Sequence, residues 1–353
     1  MSDPVLQLAC AALVLLLPLG VQQGLRPSAM PRILVMVAVG AVAAVASAVA
    51  DASTGHGTDF AASALDASLA AALASTMALV VAQRMGTAGG AVFGLSWSIA
   101  VYQPVAAAAL HGVPSLVQVA FGAIDYGGVL ASHVAAGAAL LTLSFLPVCR
   151  PRADTPAGAV STSVTTTWRR GALGASLVIA SGGAWLVGVE RVLTVASGRT
   201  LANAVVGMAL GALVWIIVEK IAVDRMPPDG LIAGSLVGWA AIGAGAPYLS
   251  PFALAAAVVG ATVAGAGAVA KPRARGAGVL RWASTSILVA VAVGSVIMTL
   301  LADRFGLAEM ATITFTVEQL TATVVVAVVA GVGGLACGLL AWGVSRWAIP
   351  DSN

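Results

Sequence analysis

The stretch AIDYGGVLASHVAAG, residues 123–137, sets a carboxylate (Asp125) and an imidazole (His133) inside a long apolar run. How that run is solvated decides the fold. The chain has 353 residues, of which 60% are hydrophobic and 9% charged, with a mean hydropathy of +1.01. Soluble domains carry roughly 25% charged residues. A soluble core for this composition would outgrow the chain, so lipid is the solvent for most of its surface. Runs of about 20 residues rich in Ala, Leu, Val and Gly recur without two-residue alternation. They predict helices rather than a barrel.

Working outward, eleven apolar segments stand at about 4–24, 32–50, 60–83, 88–110, 117–148, 171–189, 200–221, 229–247, 251–270, 282–302 and 313–345. The fifth and eleventh exceed the roughly 20 residues a bilayer needs, so they should tilt or protrude. The segments between them alternate in charge. One side collects Arg26, Arg32, Arg84, Arg150, Arg152, Arg169, Arg170, Lys220, Arg225, Lys271, Arg273, Arg275, Arg281 and Arg346, and the other only Arg191, Arg199 and Arg304. This bias puts the first side in the cytoplasm of a cell membrane, the N-terminus outside and the C-terminus inside. Five helices either side of a polar cytoplasmic linker, 149–170, then run in opposite senses, a common transporter plan. The expected fold is an all-α polytopic membrane protein, one domain over 1–353. Its inverted halves span about 1–148 and 171–302, and a long C-terminal helix spans about 313–345. The first apolar run follows an acidic leader and reads as a retained helix, not a signal peptide.

Two places carry ionisable groups within the apolar segments: Asp66, and the pair Asp125 and His133. A charged Asp at a helix centre costs a few kcal/mol even on the lenient insertion scale. A histidine escapes much of that cost by staying neutral. Counted from Arg150, His133 lies 17 residues in, about 25 Å at 1.5 Å per residue, near mid-membrane. Either it is a polar stepping-stone in a pore or it is a core histidine bonded to a neighbouring helix. Asp125, eight residues further out and roughly 12 Å away on a continuous helix, can share its face. It precedes Tyr126-Gly127-Gly128 at a helix start, where a carboxylate either caps backbone N–H groups and supports the site or contacts substrate directly. Asp66 either attracts a cation or is a hydrogen-bonded carboxylate near a helix end.

Other functions find little support. Basic residues are scattered without aromatic interleaving, so no nucleic acid is expected. Cys10, Cys149 and Cys337 fit no metal spacing, and no structural disulfide, metal or cofactor is expected. No Walker loop, HExxH, CxxC or nucleophile elbow occurs, so no enzyme is expected. Ser132 adjoins His133, but helix neighbours diverge by about 100°, and no dyad is expected. Small-residue spacings at 331–334 and Gly338 could allow close helix packing.

The quoted stretch resembles the signature of the ammonium transporter (Amt/Mep/Rh) family, which reads close to LDFAGGTVVHINAG, and Asp125 and His133 keep its spacing of eight. LACAALVLLLPLGVQQGL (8–25) resembles the family's first helix. AQRMGTAGGAVFGLSWSIAVYQPVA (82–106) is similar to its helices 3 and 4, with Tyr102 and Pro104 in place, and MPPDGLIAGSLVGWAAIGAGAPYLSP (226–251) to its helix 8. The resemblance implies eleven helices, an inverted five-plus-five repeat and a homotrimer with one pore per subunit. It also implies recruitment of ammonium at the outer mouth, deprotonation, and passage of ammonia along a hydrophobic pore lined by histidines of helices 5 and 10.

The chain departs from the family where the substrate would bind. The helix-10 histidine position falls on Ile287, and no register supplies another, since the chain holds only His56, His111 and His133. Paired phenylalanines of helix 3 fall on Leu65 and Leu69, flanking Asp66, and the recruiting tryptophan falls near Leu110 and His111. Leucines cannot bind a cation through a ring face. In SGGAWLVGVERVL (181–193) a further aromatic of the family's helix 6 is missing. The expected function is a channel for ammonium or ammonia. The alternatives are a channel of the same fold for another small neutral molecule or gas, and a non-conducting sensor.

Overall fold

The computed structural model describes residues 3–25, 30–53, 59–111, 114–149, 167–304, 306–307 and 313–348. Most of the proposed linker, 150–166, and His56 lie outside them. Among the described residues there is no strand. The helices are α1 (Pro4–Val14), α2 (Leu17–Gly24), α3 (Met30–Ser53), α4 (Phe60–Trp97), α5 (Gln103–Leu110), α6 (Leu116–Phe121), α7 (Ala135–Leu143), α8 (Trp168–Gly188), α9 (Ser197–Val223), α10 (Gly230–Ile242), α11 (Pro251–Ala274), α12 (Val279–Leu301) and α13 (Thr314–Ala348). Eight helical stretches are long and apolar enough to cross a bilayer, two shorter ones are Leu130–Leu143 and Gly230–Ile242, and one of the eight, Phe60–Leu110, is double. Its kink is Gly86 (φ 73°), a left-handed turn open to glycine, which separates the expected third and fourth crossings. Eleven crossings result, as expected from the sequence.

Side-chain chemistry fixes the helix starts. Asp3 caps α1 at Leu6 N (3.0 Å), Asp59 caps α4 at Ala61 N (3.0 Å), and Ser250 caps α11 at Ala253 N (3.2 Å). Before α5, a π-helical turn at Ser98–Tyr102 widens the helix just ahead of Pro104, which has no N–H to give the preceding turn.

The fifth segment corrects the expectation of one long helix over 117–148. Short α6 ends at Gly122 (φ 70°), residues 123–128 are not helical, and the helix resumes at Val129 with a π-helical turn, Leu130–Val134, that runs into α7. Glycines make the break: Gly128 is also left-handed (φ 67°), a conformation that costs other residues roughly 1–2 kcal/mol. Asp125 is therefore off the helix, and a helical count of its distance from His133 does not apply. The eleventh segment, 35 residues long, does exceed a bilayer, at about 52 Å.

Lipid tails are as apolar as leucine, so these helices associate through close packing rather than hydrophobic transfer. A Cβ on Gly211 would stand 2.9 Å from Gly238 Cα, and one on Gly238 would stand 2.6 Å from Gly207 O, so α9 and α10 meet backbone to backbone. Gly294 brings α12 as close to Ala241 of α10, and Gly334 brings α13 to Ala139 of α7. The small residues singled out at 331–334 thus do seat α13. Thr142 Oγ1 adds a 3.0 Å bond to Gly331 O.

Contacts between distant residues sort the bundle's ends. Arg84 lies against Gly278, and Gly24 against Ile232 and Asp229, at one end, called here the arginine-rich end. At the other, Asp3 N bonds Arg191 O, Arg191 pairs with Asp66, and Arg199 pairs with Asp303.

Candidate functional site

The site is built on the break before α7. Asp125 Oδ1 accepts from Val129 N (2.7 Å) and Oδ2 from Leu130 N (2.9 Å), so its carboxylate caps the resumed helix. The helix start is buried, and without this cap two N–H groups would face apolar surroundings. Around it, Asp125-Tyr126-Gly127-Gly128 forms a tight turn, with Gly128 N on Asp125 O at 3.3 Å. Tyr126 N and Gly127 N donate to Ala244 O (3.0 Å) and Gly243 O (2.9 Å) beyond α10. Gly127 has no room for a side chain: a Cβ would strike Leu186 and stand 2.5 Å from Gly243 O. Its carbonyl accepts from Trp185 Nε1 at 2.8 Å.

His133 lies in the first turn after this cap, 6% exposed. Its ring packs edge-on against Trp239 (centroids 4.8 Å), which in turn packs edge-on against Trp185 (5.6 Å). Neither tryptophan was singled out as a site residue from the sequence. The available signal is their position: both sit within Gly- and Ala-rich segments, not in the interfacial belts tryptophan favours.

Ser132 overturns the expectation of no dyad. Its Oγ lies 2.9 Å from His133 Nδ1 and also 2.8 Å from Gly128 O. Two features defeat the 100° rule: a π-helical turn rotates less per residue, and Nδ1 lies close enough to the backbone to swing toward a short neighbour.

Ser132 and His133 border a cavity of ≈ 130 Å³ that extends to Gly24, Asp229 and Val279 at the arginine-rich end. Its walls are mostly aliphatic, with Leu73, Val80, Leu140 and Ile232 prominent. Ile287 lines the same cavity, so the residue matched to the family's second histidine does share a space with the first. Toward the opposite end the lining stops at His133. Leu65 and Leu69 are fully buried there, and Leu110 folds over Gly128, within 2.9 Å of where its Cβ would be. Tyr102 stacks on Trp97 (6.0 Å), beside the turn that Pro104 imposes.

Asp66 is remote from this cavity and engaged. Arg191 Nη2 donates to both of its oxygens (3.0 and 2.7 Å), and His111 Nε2 stands 3.5 Å away. Asp51, Asp66 and His111 hold their ligand atoms within 4.8 Å of one another, the one grouping among the described residues that could share an ion. An arginine already balances Asp66 there. The three cysteines are free thiols, all buried.

At the arginine-rich mouth lies a cluster the sequence did not flag. Arg273 spans Glu219 (2.6 Å) and Asp229 (2.5 Å), and its guanidinium lies 4.5 Å over Trp282. Asp229 and Trp282 both line the cavity. Outside it, at the end of α9, the Lys220 ammonium holds the exposed Asp224 carboxyl below the usual range.

No family model matches the sequence, and no curated protein sequence matches it. Solved structures do. Mep2 of Saccharomyces cerevisiae aligns with a TM-score of 0.75 at 16% identity, over 99% of this chain and 88% of that one. For Mep2 of Candida albicans the values are 0.72, 17%, 98% and 84%. A protein described as "Sensor Amt Protein" aligns at 0.75 and 16%, over 98% of this chain and 93% of that one. At these identities the likeness is one of fold, and it runs nearly end to end. The chain is a multi-pass membrane protein with the Mep2 and Amt fold.

Proposed function

We propose that this chain conducts ammonium or ammonia across the cell membrane, through a pore in each subunit of a homotrimer that passes His133. One observation carries the reading: an imidazole borders an apolar cavity inside a bundle of the Mep2 and Amt fold. A bare cation among these aliphatic walls would lose its hydration with nothing to replace it, whereas neutral ammonia loses far less. The sequence resemblance to the ammonium transporters supplies the substrate. The charge bias puts the arginine-rich end in the cytoplasm, with the N-terminus outside and the C-terminus inside. Asp125 supports the pore by capping its helix, and Asp66 belongs to the outer entrance.

A second reading is a channel for another small neutral molecule, or a sensor that does not conduct. Two observations favour it: the cavity lining ends at His133, and Ile287 stands where a second imidazole is implied.

Flux of ammonia and of methylammonium into liposomes tests the proposal, comparing the chain with His133→Ala. Flux above empty vesicles that falls in the variant is expected. No flux from the unaltered chain sinks the proposal, and flux indifferent to His133 removes that residue from the path.

A further inference from the structure

We infer that Ser132 is a positioning residue that holds His133 as the Nδ1–H tautomer, so that the pore offers one hydrogen-bond acceptor, Nε2, to its substrate. The inference rests on the conducting reading above only for what Nε2 would meet.

A neutral imidazole has one N–H, and which nitrogen carries it follows from the partner of the other. Ser132 Oγ has two close neighbours, Gly128 O at 2.8 Å and His133 Nδ1 at 2.9 Å. A carbonyl only accepts, and a hydroxyl holds a single hydrogen. If the hydroxyl gave it to Nδ1, Oγ and Gly128 O would face each other with no proton between them. If the hydroxyl gives it to Gly128 O, Oγ can accept from Nδ1–H and both contacts are hydrogen bonds. Gly128 O also accepts from Ser132 N at 2.9 Å and is met either way, so the deciding point is the 2.8 Å approach of two oxygens, which is repulsive in the first arrangement and a hydrogen bond in the second.

Among the described residues the other ring nitrogen, Nε2, has no hydrogen-bond partner. In this tautomer it carries a lone pair. His133 borders the cavity, whose other polar groups are few. The class of molecule held there is therefore a hydrogen-bond donor. Ammonia and small primary amines qualify, while a gas carrying only acceptors does not.

The test is solid-state NMR of the ¹⁵N-histidine-labelled chain in lipid bilayers, with the His133 signals assigned by their loss in His133→Ala. The expected spectrum shows His133 Nδ1 bonded to hydrogen and Nε2 bare. Ser132→Ala should abolish that preference and Ser132→Thr, which keeps the hydroxyl, should restore it. In liposomes Ser132→Ala should lower ammonia flux roughly two- to tenfold, the worth of one hydrogen bond. Hydrogen on Nε2 in the unaltered chain overturns the proposal, as does the same spectrum in Ser132→Ala. The NMR readout needs no transport, so a bare Nε2 in a chain without flux supports the tautomer and refutes the conducting reading alone.

Discussion

Replacing Asp125 with alanine removes the acceptor of two backbone N–H groups, Val129 N at 2.7 Å and Leu130 N at 2.9 Å. Exposed caps lose about 0.5–2 kcal/mol on such a change, because water takes over the freed donors. Here Val129 and Leu130 are each 1% exposed, so water cannot. Hydrogen bonds to a charged group contribute about 1.5–3 kcal/mol each, which puts the loss of both at about 3–6 kcal/mol. A chain of this length unfolds with an entropy of roughly 0.7 kcal/mol per kelvin, so the midpoint should fall by about 4–8 °C. The assay is thermal unfolding of the purified protein in detergent at one fixed scan rate. Asp125→Asn should fall between, since its amide oxygen keeps one N–H while its NH₂ opposes the other. An alanine variant that melts within 1 °C of the unaltered chain refutes the capping role. Were flux then also lost, Asp125 would be a substrate contact instead.

Two further outcomes follow from the packing. Gly127→Ala drives a methyl into Leu186 and Gly243 O, and the turn cannot retreat without losing its bonds to residues 243 and 244; it should cost about 1–3 kcal/mol, read as a lowered melting midpoint, and an unchanged midpoint would contradict the contact. Arg273→Ala strands the buried Glu219 and should cost about 3–5 kcal/mol, whereas the double replacement Arg273→Met with Glu219→Met should recover most of it; a single variant as stable as the parent would mean the cluster carries no weight.

The bundle was legible because lipid imposes a coarse rule: about 20 apolar residues make a crossing, and arginines sort the ends. Hydropathy could not reveal the break at 122–128, since Ala123 and Ile124 are as apolar as the helices around them. Only Gly122, Gly127 and Gly128 mark it. The family resemblance located Asp125, His133 and the shared cavity of Ile287. Trp185 and Trp239 escaped because the run of contacts from Trp185 through Trp239 to the histidine joins three separate helical segments. The ion pair of Asp66 with Arg191 escaped for the same reason: pairing across 125 positions leaves no local trace. Ser132 was misread because an ideal helix was assumed where the backbone is locally wider.

The turn at Tyr126–Gly127 has a consequence for how a molecule could cross. Its two backbone bonds to residues 243–244 and the Trp185 bond to Gly127 O tie the fifth crossing to the sixth and eighth at the level of His133. Any cycle that rocked one half of the bundle against the other would have to break all three on each turnover. Such a latch opposes alternating access, and under the proposed conduction it favours a path opened by side-chain displacements at Leu65, Leu69 and Leu110 over movement of whole helices.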